Sequence, residues 1–235
     1  MFNNSKYGNL LTILLIITII AIIGILFIIG YKVYKAHEIN IGAVEAVKEF
    51  ESNINENNET EDENNILDNS SWVDNGNSLN ITNTTALITT GTTASTSKKK
   101  TTQYNGFDVI GTIEIPSINL KYPILEQLSK KSLETSVVLL YTSNGINKEG
   151  NTVIIGHNYR NGTMFSKIKK LENGDIIYVT DTSGKKVKYT VYNVYRTSGS
   201  DSEYMTRNTN GKREISLSTC TDDSKARTIV VAKEN

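Results

Sequence analysis

From Leu10 to Ile29 the chain is apolar except for Thr12, Thr18 and Gly24, and no charged side chain occurs between Tyr7 and Tyr31. Twenty helical residues at about 1.5 Å each span roughly 30 Å, the thickness of a bilayer's hydrocarbon core. A cleaved secretory signal has a shorter apolar stretch, about 7–15 residues, with a small-residue cleavage site behind it. Here the run is longer and leads into Tyr31-Lys32-Val33-Tyr34-Lys35. The pattern predicts an uncleaved transmembrane helix over residues 10–30, preceded by a short N-terminal segment, 1–9. Lys6 lies on one side and Lys32 and Lys35 on the other, so the distribution of basic residues leaves the orientation open.

Beyond the run, Ile39, Ala43, Val47 and Phe50 recur at helical spacing, which predicts a juxtamembrane helix over 31–51. The stretch 52–106 then turns to low complexity. It opens with Asn53-Ile54-Asn55-Glu56-Asn57-Asn58, becomes rich in threonine and closes with Lys98-Lys99-Lys100. Such a composition buries too little apolar surface to offset its ordering entropy, and it predicts a disordered stalk. A flexible stalk of this length has an r.m.s. reach of roughly 40 Å.

From Phe107 onward the texture changes to short strands. Candidates cover 109–115, 122–125, 137–141, 152–155, 175–179, 186–195, 214–219 and 228–232, several with apolar and polar residues in alternation, as in Val187, Tyr189 and Val191. Turn pairs such as Asn144-Gly145, Asn173-Gly174 and Ser183-Gly184 punctuate them. Short helices fit 129–135, 163–171 and 202–207. Eight short strands in one domain over 107–235 predict a mostly β fold, a small barrel or a sandwich. Pro116 and Pro123 sit at or near strand ends, where a missing N–H is tolerated.

Lys+Arg and Asp+Glu both total 25, so no global charge points to nucleic acid or an acidic surface. Cys220 is the one cysteine, which excludes internal disulfides and a cysteine-based zinc cluster. A lone thiol is either a buried, inert group or one kept for reactivity. Glu114, Glu149 and Asp201 have no spacing that supports an ion site, and nothing in the sequence calls for a cofactor.

Three residues stand where strands leave the core. His157 follows Val153-Ile154-Ile155-Gly156, Cys220 ends Ile215-Ser216-Leu217-Ser218-Thr219, and Arg227 precedes Thr228-Ile229-Val230-Val231. Side chains at the ends of buried strands can meet at one rim, where a rigid scaffold presents catalytic groups. Taken singly, His157 could be a hydrogen-bonded structural residue, Cys220 a small core group and Arg227 an ordinary surface cation.

Ile155-Gly156-His157-Asn158, followed by Asn161-Gly162-Thr163-Met164-Phe165, resembles the histidine segment of sortases. Leu217-Ser218-Thr219-Cys220 resembles their cysteine motif, Arg227 matches the arginine on the next strand, and Gly111-Thr112-Ile113-Glu114-Ile115-Pro116 resembles the opening strand. The details look most like class B, with class D the nearest alternative. The resemblance implies a closed eight-stranded β-barrel with short helices and a catalytic set of His157, Cys220 and Arg227. It also implies an N-terminus inside, a single membrane pass and an extracellular domain. The implied reaction cleaves the C-terminal sorting signal of surface proteins through a Cys220 thioester. Transfer then goes to a peptidoglycan precursor or another amine nucleophile. The alternative is a stalked extracellular β-domain that binds a wall polymer or a protein without catalysis, with Cys220 buried.

Overall fold

A computed structural model describes residues 4–66 and 101–234, with side chains over 7–56 and 101–234. The part of the expected stalk from 67 to 100 lies outside the described residues.

One helix, α1 (Asn4–Ile66), carries both the apolar run and the juxtamembrane face. The run is exposed along its whole length, and the helix is long and apolar enough to cross a membrane. After Ala36 the same helix meets the β-domain. Ala43, Val47, Phe50 and Ile54 repeat on one face and are all buried. Ala43 joins the main core, while Phe50 and Ile54 pack with Phe107, Val109, Leu125 and Val138. Polar bonds flank this contact. Asn53 Nδ2 donates to Thr102 Oγ1 at 2.7 Å, Tyr122 donates its hydroxyl to Asn40, and Lys121 pairs with Glu51 at 2.9 Å.

Two expected boundaries therefore move. The helix does not stop at Glu51 but continues to Ile66, and Asn53 and Ile54 have partners on the domain that the local composition does not disclose. At the other end, residues 103–106 belong to the fold rather than to a stalk. There β1 (Gln103–Tyr104) pairs with β2 (Phe107–Ile115) through an Asn105-Gly106 turn. Both turn residues have positive φ, 51° and 81°, as a tight hairpin requires.

The barrel comprises β2, β3 (Leu120–Leu125), β4 (Val137–Thr142), β5 (Gly150–Ile155), β6 (Ile176–Asp181), β7 (Lys186–Ser198), β8 (Arg213–Cys220) and β9 (Ala226–Glu234). All eight expected strands are present, with ends extended by a few residues. Their order is β2-β3-β4-β5-β8-β9-β7-β6, and β6 pairs back onto β2, closing the barrel. Pairs β3–β4 and β5–β8 are parallel and the rest antiparallel. Closure depends on Gly111, whose Cβ, if it had one, would stand 2.7 Å from the backbone oxygen of Thr180. Inside lie Ile113, Ile115, Ile154, Phe165, Ile177, Tyr189, Leu217 and Val230. The one deep polar group among them is closed off: Tyr189 donates its hydroxyl to Asn147 Oδ1 at 3.0 Å. Asn147 Nδ2 in turn donates to Val179 O and Lys185 O. Helices α2 (Lys130–Thr135) and α3 (Glu203–Thr206) and a 3-10 segment (Met164–Lys170) fill the connections.

Because Phe50 is buried between α1 and the sheet, Phe50→Ala is expected to cost about 3 kcal/mol of stability, the low end for such truncations. A polypeptide starting at Glu38 should likewise unfold at higher denaturant than one starting at Gln103. Equal midpoints for the two would show that α1 contributes nothing to the fold.

Candidate active site

The strand that leads to His157 is held on both sides, by β4 and by β8, and its core residues Val153 and Ile154 are fully buried. At its end Gly156 threads between side chains: a Cβ there would lie 2.9 Å from Val137 Cγ1 and 3.0 Å from the Phe165 ring. Gly156 N donates to Ser218 O, and His157 O accepts from Phe165 N at 3.1 Å, so the chain turns out of the sheet at His157. The rest of the motif stitches this loop together. Asn161 Oδ1 accepts from both the backbone N and the hydroxyl of Thr163, and Ser166 donates its hydroxyl to Thr163 O.

Cys220 ends β8, beside His157's strand. The parallel register runs from Gly150↔Arg213 to Ile155↔Ser218, and beyond it Thr219 Oγ1 donates to Gly156 O at 2.7 Å. The thiol is exposed, whereas Ser218 and Thr219 just before it are buried. On the other side β9 runs antiparallel, and Cys220 and Arg227 are direct cross-strand partners. Such partners have Cα atoms about 4.5–5.5 Å apart and side chains on one face. Arg227 Nε donates to Gly199 O at 3.2 Å, and among the described residues its Nη groups bond to no protein atom. Gly199 is itself placed by the β7–β8 connection. That connection is fastened where Tyr204 packs against Val153 and Ile229, and where Arg207 pairs with Glu214 and donates to Asn151 Oδ1.

The fold thus brings His157, Cys220 and Arg227 to one rim. Glu114, Glu149 and Asp201 do not converge: Glu114 pairs with Lys186, and Asp201 accepts from Thr197 and from Glu203 N. No group of three potential metal-ligating side chains occurs among the described residues.

Sequence reasoning missed a clamp across this rim. Asn158 Nδ2 donates to Cys220 O at 3.0 Å and to Asp222 Oδ1 at 2.9 Å, and Asp222 also pairs with Lys169. The residue after His157 is thereby tied to Cys220 itself and to the second residue beyond it. The Tyr159 ring stands 4.9 Å from the imidazole, tilted by 39°. The only sequence signal for the clamp is that a polar residue able to bridge directly follows His157 and another stands two places beyond Cys220.

The Lys169 ammonium, and next the Asn158 amide, hold the Asp222 carboxyl below the usual carboxylate range. A depressed pKa means that the clamp's contribution is present above the unfolded value of about 3.9 and is lost as pH falls through the folded value. Both partners are well exposed, so solvent screens the pair and the effect is local. In Asp222→Asn, amides of the 221–226 turn should exchange faster than in wild type at pH 6, with the difference shrinking progressively once pH falls below about 4. Equal exchange in the two proteins at pH 6 would show that the clamp does not order the turn.

Residues 113–235 match the family model described as Sortase domain. Among curated proteins, the chain is 34% identical over 113 residues to Sortase A of Bacillus anthracis, covering 48% of this chain and 52% of that protein. It is 26% identical over 138 residues to Sortase A of Streptococcus agalactiae serotype III (strain NEM316), covering 57% and 55%. The chain spans about half the length of the curated relatives it matches. Among solved structures it is similar to a Clostridium perfringens Sortase D5 transpeptidase, with TM-score 0.50 and 30% identity over 55% of this chain and 79% of that one. Sortase A from Corynebacterium diphtheriae gives TM-score 0.50 and 29% identity, covering 55% and 61%. These names belong to classes A and D, so no class letter is assigned to the chain.

Proposed function

This chain belongs to the sortase family, and from that premise we propose that it is a membrane-anchored cysteine transpeptidase. Its substrates are surface proteins with a C-terminal sorting signal, and its product joins them to an amine of the cell wall. α1 is the anchor and the barrel lies outside the cell. The observation that carries the reading is the register: an exposed thiol and a guanidinium form one cross-strand pair, Cys220↔Arg227, while His157 leaves the adjoining strand. An inert structural cysteine would be buried, as the non-catalytic alternative requires, and this one is not.

In the proposed reaction Cys220, as thiolate, attacks the carbonyl carbon of a threonine in the sorting signal. The carbonyl π pair moves onto oxygen, and the Arg227 guanidinium, with its Nη donors unspent, stabilises that oxyanion. As the tetrahedral centre collapses, the peptide C–N bond breaks and His157 gives its proton to the departing amine. A thioester on Cys220 remains. The incoming amine attacks it, His157 takes the proton back, and the new amide leaves as the thiolate is restored.

Cys220→Ala should fold normally and lose both cleavage and transfer; turnover in that variant would sink the assignment. His157→Gln keeps a hydrogen-bonding side chain without a proton shuttle and should slow turnover about 10²-fold or more. Arg227→Lys tests the guanidinium against an ordinary cation. Loss of one oxyanion donor costs about 10²–10³ in rate, and a compact ammonium cannot present the planar fork. Turnover should fall by that factor while alkylation of Cys220 stays within several-fold of wild type. Near-normal turnover would remove Arg227 from the site.

A further inference from the structure

The barrel meets α1 in a fixed order along the helix. Tyr31, Lys32 and Lys35 share a cavity of about 490 Å³ with Glu134, Tyr159 and Asn161. Higher up, Asn40 takes the Tyr122 hydroxyl, and higher still come the Glu51–Lys121 pair and the Asn53–Thr102 bond. At about 1.5 Å per residue, the contacts of the His157 loop and of Thr102 stand roughly 30 Å apart along the axis. The loop that bears His157 is at the end nearest the apolar run. That run stops at Ile29, so Lys32 and Lys35 lie within about 10 Å of its end. Tyr159, which closes the cavity from the barrel side, is the ring beside the His157 imidazole.

The charge and the residue types at this level suit a lipid surface. Lys32, Lys35 and Arg160 are exposed cations, Tyr31 and Tyr159 are exposed aromatics, and the acidic groups beside them are Glu134 and Asp222, the latter paired with Lys169. Aromatic rings and lysines gather at the headgroup layer, and each exposed cation near an anionic leaflet is attracted to it.

We propose that the rim carrying His157 and Cys220 docks against the headgroup layer of the bilayer that α1 crosses, with Lys32, Lys35 and Arg160 facing anionic lipid. The helix then works as a stiff spacer. It sets the height of the thiol above the membrane, so that scissile bonds are engaged close to the lipid surface and not far out in the wall. The inference rests on the anchored reading given above.

The sole cysteine provides the probe. The full chain is labelled at Cys220 with a fluorescent donor and placed in phosphatidylglycerol–phosphatidylcholine vesicles carrying a headgroup-linked acceptor. A second protein, Cys220→Ser with Gln103→Cys, carries the donor at the opposite end of the α1 contact. Both positions are exposed, so neither label disturbs the core. Transfer should be severalfold stronger from position 220 than from 103. Inserting seven helix-forming residues after Gly30 lifts the barrel by about 10 Å with nearly unchanged azimuth, and transfer from 220 should drop. Equal transfer from the two positions, stronger transfer from 103, or no response to the insertion would overturn the docked rim. A chain that does not float with the vesicles would overturn the anchored reading and this inference with it. Cleavage of a soluble peptide by the unlabelled chain with Cys220 intact reports separately on the chemistry.

Discussion

Six consecutive pairings hold β5 parallel to β8, from Gly150↔Arg213 to Ile155↔Ser218, and the rim is set by them. Neither strand can shift against the other by one residue, because a strand's side chains alternate between faces and a single step would turn Ile154 and Leu217 out of the core. That rigidity passes to the strand ends. Gly156 and Thr219 continue the contact through the Thr219 hydroxyl, and Asn158 reaches across to Cys220 and Asp222. A parallel pair cannot be closed by a tight turn, so His157 and Cys220 come from parts of the chain far apart in sequence. Their relative position is as firm as the barrel itself.

The second constraint is the shared use of α1. Through Ile29 the helix is exposed, whereas from Ile39 to Ile54 it is part of the domain's packing. Gly30 and Gly42 lie in the junction without breaking the helix, and no proline occurs anywhere in α1. The apolar run and the domain contact are therefore joined by continuous hydrogen-bonded backbone, and the orientation of one limits that of the other.

Much of this was legible in the sequence. The alternation in Val187, Tyr189 and Val191, and the turn pairs between runs, were enough to locate each strand, and the strand ends marked His157, Cys220 and Arg227 as candidates that the motif resemblance drew into one set. The local pattern could not hold the register that joins them, since Asn158 and Asp222 are separated by 64 positions. The helix beyond Glu51 was read as solvated chain because Asn53 and Ile54 sit among asparagines and glutamates; their worth comes from Thr102 and from the sheet face beside Phe107. Likewise Gly156 was visible as a residue preceding the histidine, but only the Phe165 ring and Val137 explain why a side chain there has no room.

Cys220 is exposed at the barrel rim and carries the one thiol in the sequence. Its redox fate follows from that solitude. Oxidation of a thiol to a sulfenic acid is reversible when a neighbouring thiol condenses with it, and becomes permanent at the next step, to sulfinic acid. No second cysteine stands in this polypeptide to intercept the first stage. Repair of an oxidised Cys220 thus falls to a thiol supplied from outside, either a small molecule or another protein. On the extracellular placement proposed above, the working life of each molecule would then be limited by access to that external reductant, as much as by the stability of the barrel.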